Sequence, residues 1–99
     1  MVAANRGRFR LDASYFGYAE ACEVARRIAG DRSGGIVHIH LEGTIRTSTA
    51  ALARLILLRR TLLRSGRDLC IIGLSGRAAG LYEISRLGKL LPRRSDAEA

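Results

Sequence analysis

Tryptophan is absent from this 99-residue chain, which has one proline, two cysteines, three tyrosines and two phenylalanines. Cys22 and Cys70 lie far apart in apolar stretches, so they suggest neither a disulfide framework nor metal-ligand spacing. They are predicted to be buried free thiols in a reducing compartment. So few aromatics leave little on which bases could stack, and nucleic-acid binding through an arginine-rich helix falls behind other readings. No apolar run approaches the ~20 residues of a membrane span. Met1 to Arg10 contains Arg6, Arg8 and Arg10 and no apolar core of a signal sequence, so a cytoplasmic protein is expected. Apolar residues make up 47% and charged residues 26%, a globular balance and not that of a disordered chain. One domain over 1–99 is expected, with 1–6 and 92–99 as flexible tails.

Acidic residues are also scarce, nine against seventeen basic, for a net charge of +8. None lies between Glu42 and Asp68, whereas Arg46, Arg54, Arg59, Arg60, Arg64 and Arg67 all do. Such a stretch is either a solvated helix face or a surface for an acidic partner.

What is present alternates in kind. Gly7 to Leu11 reads as a short edge strand. Tyr15 to Ala29 has a helical apolar stripe of Phe16, Ala19, Val24 and Ile28. Gly30 to Gly35 is a turn cluster. In Ile36 to Leu41, Val37, Ile39 and Leu41 alternate with His38 and His40, which predicts a strand. Leu52, Leu55, Ile56, Leu58, Leu62 and Leu63 then recur at helical spacing up to Ser65-Gly66. Leu69 to Leu74 is continuously apolar, as in a strand buried on both faces. Arg77 to Leu87 is a third helix, with Leu81, Ile84 and Leu87 as its buried stripe and Gly88 as its terminator. Strand, helix, strand, helix, strand, helix predicts an α/β fold: a small, mostly parallel sheet with three helices packed on it.

The residues of a reaction centre are not assembled. His38 and His40 share one strand face, but no further ligand stands at metal spacing, so they read as a surface or interface pair. Gly73, Gly76 and Gly80 follow a strand and precede a helix, without the spacing or the Lys-Ser/Thr of a phosphate loop. No enzyme, metal or cofactor is expected. Thr47, Ser48 and Thr49 stand where a helix N-terminus needs a hydroxyl cap. A phosphate at Thr49 would meet free backbone N–H groups and the positive end of the helix dipole.

His38 to Leu91 resembles the STAS domain, the sulphate transporter and anti-sigma factor antagonist family. His40-Leu41-Glu42-Gly43 is similar to the family's Asp-Leu-Ser-Gly, and Ser48-Thr49-Ala50-Ala51-Leu52 to its Asp-Ser-Ser-Gly-Leu. Leu69 to Ser75 and Arg77 to Leu91 resemble the next strand and the leucine-rich ending, and Leu11-Asp12 the family's entry to its first helix. Ser48 replaces the family's Asp, and Ala51 its Gly. The resemblance puts Thr49 at the position of the serine that a partner kinase phosphorylates. The N-terminus is shorter than the family's by about one strand, which would expose a sheet edge and favour a homodimer.

The resemblance implies a bacterial, non-catalytic signalling module of the anti-sigma factor antagonist kind, acting in transcription regulation. It would bind an anti-sigma, kinase-like or other regulatory protein through Arg46, Thr47, Ser48, Thr49, Arg54 and Ser75. Phosphorylation at Thr49, with Ser48 beside it, would be the switch. The alternative is a STAS-like accessory subunit of an ABC-type phospholipid transporter that binds its ATPase, since that protein also carries Thr at the switch position.

Overall fold

Apolar, β-branched runs bounded by glycine-rich turns pack best as pleated strands, and these set the order of the fold. The computed structural model describes residues 2–5, 7–11, 14–31 and 34–94. Along them run β1 (Val2–Asn5), β2 (Arg8–Leu11), β3 (Tyr15–Phe16), α1 (Tyr18–Ala29), β4 (Ile36–His40) and β5 (Arg46–Thr47). α2 (Thr49–Arg64), β6 (Asp68–Ile72), α3 (Gly76–Ile84) and β7 (Arg93–Arg94) follow. The main sheet has the order β1-β2-β4-β6-β7, antiparallel at β1 and parallel elsewhere. One helix crosses over between each pair of parallel neighbours, as such pairing requires. The expected α/β architecture of three helices and a mostly parallel sheet is therefore realised.

Phe9, Ile39 and Ile71 are in register across β2, β4 and β6. With Leu11, Val37 and Leu69 they form the sheet side of the core. Ala21, Val24, Ala25 and Ile28 of α1, and Ala51, Leu52, Leu55, Leu58 and Leu62 of α2, form the helix side. β6 is buried along Leu69, Cys70, Ile71 and Ile72, as its unbroken apolar run predicts. Cys22 is half-buried and Cys70 buried, and neither is in a disulfide.

Several boundaries differ from the sequence expectation. β2 is not an edge strand. Val2–Asn5, placed by its sequence in a tail, pairs with it as β1 and occupies the edge expected to lie open. That removes the argument made for self-association there. Ala3, Ala4 and Asn5 carry no apolar alternation to betray a strand. At the other end, Arg93–Arg94, placed by the sequence in a tail, pairs with Ile71 and Ile72 as β7; 95–99, like Asp12, lie outside the described residues. The first helix starts at Tyr18 and not Tyr15, because Gly17 is its N-cap and donates its N–H to Glu20 Oε1 at 2.9 Å. Ala19 is thereby turned to solvent.

α3 is the largest departure. It stops at Ile84, and Arg86, not Gly88, takes the left-handed backbone (φ 54°) that turns the chain. Ala78 and Tyr82 fill the buried positions, while Ile84 is almost fully exposed. Leu81 and Leu87 are only partly buried against the core. Tyr82 donates its hydroxyl to the Leu91 carbonyl at 2.6 Å. Burial raises the pKa of that hydroxyl; the Arg93 guanidinium over the ring opposes the shift and Glu83 adds to it. A folded-state pKa above the unfolded value means stability that is complete below pH ~10 and is lost as pH rises further. Chemical denaturation across that range should show a steeper alkaline loss for the native chain than for Tyr82→Phe, which cannot ionise. Parallel curves would rule out the linkage.

Candidate functional site

Parallel strands followed by helices send every helix N-terminus to the carboxyl end of the sheet, where α/β folds gather their ligands. Here that end is pinned by the β3–β5 pair, which matches Tyr15 with Arg46 and Phe16 with Thr47. α1 begins two residues after Phe16 and α2 two residues after Thr47, so their first turns are held side by side. The Ser14 carbonyl accepts the N–H groups of Ile45 (2.8 Å) and Arg46 (3.0 Å). Ala78 N–H donates to the Ile45 carbonyl at 3.0 Å, which ties α3 to the same loop.

Within this frame the three adjacent hydroxyls have different positions. Thr47 Oγ1 donates to the Phe16 carbonyl at 2.7 Å and holds the two short strands together. Ser48 is the N-cap of α2: its Oγ accepts the Ala51 N–H at 3.1 Å, and its carbonyl accepts from Leu52 at 3.1 Å. Thr49, the first residue of the helix, is exposed. No described side chain or backbone group hydrogen-bonds its hydroxyl. The first-turn N–H groups beside it have no intrahelical acceptor by construction.

Of the other predicted contact residues, Arg46 is exposed beside this turn. Ser75 is exposed at the N-cap of α3 without making a side-chain cap; the Ala78–Ile45 bond brings it to the same end. Arg54 does not join them. It follows Thr49 by five residues, which places it about 140° round the helix axis, and it is half-buried. The arginine-rich stretch is also partly structural. Arg59 is bonded to Asp68 at 2.6 Å and to the Lys89 and Leu90 carbonyls. Arg67 is bonded to Asp31 at 2.9 Å.

Three apolar residues at this end were not among the predicted contacts. Tyr15, Tyr18 and Ile45 are exposed large hydrophobics. Ser14, Tyr15, Ile45 and Arg46 line an open hollow of about 400 Å³. An isolated isoleucine between Thr44 and Arg46 was the one sequence sign of it. Tyr15 could be placed there only by its pairing with Arg46.

The two histidines do share one face of β4, but they are not a surface pair. His40 is buried, with Nε2 at 3.1 Å from Arg8 Nη1 and Nδ1 at 2.8 Å from Glu42 Oε1. A guanidinium can only donate, so Nε2 accepts and the Nδ1–H donates to Glu42. Glu42 also accepts from Arg10 at 3.1 Å. The ring is thus enclosed in a polar chain across β2 and β4. No group of three or more potential metal ligands occurs among the described residues.

No family model and no curated protein matches the sequence. The structure matches a candidate anti-sigma factor antagonist from Thermotoga maritima with a TM-score of 0.69 and 8% identity, over 99% of this chain and 88% of that one. It also matches the murine Solute Carrier 26 family member A9 anion transporter in the inward-facing state. There the TM-score is 0.63 and the identity 11%, over 80% of this chain but only 13% of the transporter chain. The fold is STAS-like. No helix among the described residues is long and apolar enough to cross a membrane.

Proposed function

We propose that this chain is a non-catalytic interaction module of the anti-sigma factor antagonist kind. It docks a regulatory protein through the end where α1, α2 and α3 begin, and phosphorylation of Thr49 releases that partner. The observation that carries the reading is the division of labour among the three hydroxyls: Thr47 and Ser48 are engaged within the fold, while Thr49 is exposed. A kinase needs a reachable hydroxyl, and a phosphate there adds close to two negative charges on a docking surface. Arg46 and Ser75 belong to the contact surface, and Arg54 contributes from its margin.

The test compares two variants by calorimetric titration against the partner that co-purifies from the native cell. Thr49→Glu should weaken binding by about 1–3 kcal/mol through charge and desolvation, with the fold intact. Thr49→Ala should bind as the native protein does and lose regulation. Since Ser48 and not Thr49 caps the helix, neither change should lower stability by more than about 0.5 kcal/mol. Equal affinities for the two variants would reduce Thr49 to an ordinary surface residue.

The second reading is a STAS-like accessory subunit of an ABC-type phospholipid transporter that binds its ATPase; the match to part of an anion transporter chain supports the association with a transporter. Identifying the co-purified partner as an ATPase subunit, and not an anti-sigma or kinase-like protein, would select it.

A further inference from the structure

α2 contains no acidic residue, and its carboxyl-terminal half exposes leucine where a solvated helix has polar side chains. Leu57 is 53% and Leu63 47% exposed, with exposed Arg60 and Arg64 between them around the helix. At 100° per residue these four fall within an arc of about 120°. Arg59 extends the patch: its bonds to the Lys89 and Leu90 carbonyls hold that turn beside α2. The turn adds an exposed Lys89 and a 54% exposed Leu90. Arg59 is itself neutralised by Asp68, whereas no described acid pairs with Arg60, Arg64 or Lys89.

We propose that this face docks on the surface of a bilayer carrying anionic phospholipid. Leucines interleaved with cations on one helix face are the pattern of an element lying in the plane of a membrane interface: the apolar side chains enter the acyl boundary and the cations meet the headgroups. Nucleic acid would satisfy the cations and leave the leucines in water, and the patch holds no aromatic to stack on bases. A protein partner is favoured less, because protein interfaces concentrate aromatic anchors, and the exposed tyrosines lie at the other end of the molecule. Thr49 is about 17 Å away along α2 from Arg60. The face is separate from the proposed docking end, and either assignment can fail alone.

The test is co-sedimentation of the full chain with vesicles of phosphatidylcholine alone and of an equimolar mixture with phosphatidylglycerol. Binding is expected to the mixed vesicles only, and to fall with added salt. Joint replacement Arg60→Gln and Arg64→Gln should lower the partition coefficient about 25-fold, roughly fivefold per cation. Leu57→Ser and Leu63→Ser should each lower it about fivefold, with unchanged circular dichroism. Arg77→Gln, which removes a charge at the opposite end, should alter it less than about twofold, and Thr49→Glu should change it as little. Equal binding to both vesicle types, an Arg77→Gln loss as large as that at Arg60, or retention of duplex DNA with no retention of mixed vesicles would each overturn the proposal.

Discussion

Phe16→Ala is expected to destabilise the protein by about 3–5 kcal/mol, the range for truncating a buried aromatic and leaving part of its volume empty. Phe16 has no exposed surface and belongs to the core cluster, although it stands in a strand of only two residues. Its carbonyl accepts the Thr47 hydroxyl, and its backbone pairs with Thr47. The side chain thus anchors the β3–β5 pair that fixes the starts of α1 and α2. The neighbouring Tyr15 is half exposed, and Tyr15→Ala should cost within about 0.5 kcal/mol. Urea denaturation of the two variants measures the contrast. Because the anchor lies under the proposed docking end, Phe16→Ala should also weaken partner binding while leaving vesicle binding intact. Similar stabilities for the two variants would show that the short strands collapse around the gap and that the site end does not depend on Phe16.

The contrast between Phe16 and Tyr15 also explains what the sequence could and could not reveal. β4, α2 and β6 were legible because each carries a pattern long enough to match one period: alternation at Val37 and Ile39, helical spacing from Leu52 to Leu62, an unbroken run from Leu69. Two-residue strands carry no period at all. Their existence depends on tertiary pairing, so β3 falls inside the stretch whose spacing predicts the first helix, and β5 carries no strand signal. The α3 stripe departs from its predicted positions for a related reason. Leu81, Ile84 and Leu87 fit helical spacing, but the left-handed turn at Arg86 ends the helix before Leu87 can extend the face. Tyr82, bonded to Leu91, takes the buried position instead.

The candidate site was legible as a location and not as a set of roles. A run of three hydroxyls before an apolar helix marks an N-terminus from sequence alone. Which hydroxyl caps, which braces and which stays exposed depends on where the first turn begins, and the β3–β5 pairing decides that. Arg54 stands at the margin of this end for a geometric reason, since five residues along a helix carry a side chain away from its starting face. The histidines could be assigned to one strand face, but the Arg8 and Glu42 partners of His40 come from register and loop path.

Arg67→Ala is expected to cost about 2–4 kcal/mol, far more than loss of an exposed arginine, although nothing in the charge count distinguishes Arg67 from its neighbours. The guanidinium reaches from the α2–β6 turn to the α1–β4 turn. It donates to the Asp31 carboxylate at 2.9 Å and to the carbonyls of Gly34 (3.1 Å), Gly35 (3.1 Å) and Asp31 (3.4 Å). The Arg67 and Asp31 side chains are only 13% and 14% exposed, so solvent screens the pair weakly. Truncation would leave Asp31 and the carbonyls without this donor, and the desolvation already incurred would be uncompensated. Arg67→Lys keeps the charge but lacks the planar fork, so it should recover roughly half of the loss. Arg26→Ala is the control, because its partner Glu23 lies on the exposed face of α1, where solvent and salt screen such a pair. Denaturation midpoints that are equal for Arg67→Ala and Arg26→Ala would return Arg67 to the solvated charges. The expected gap makes it a clamp between two crossovers, and with Arg59 held by Asp68 it leaves Arg46, Arg54, Arg60 and Arg64, not the whole basic stretch, as the cations with no acidic partner among the described residues.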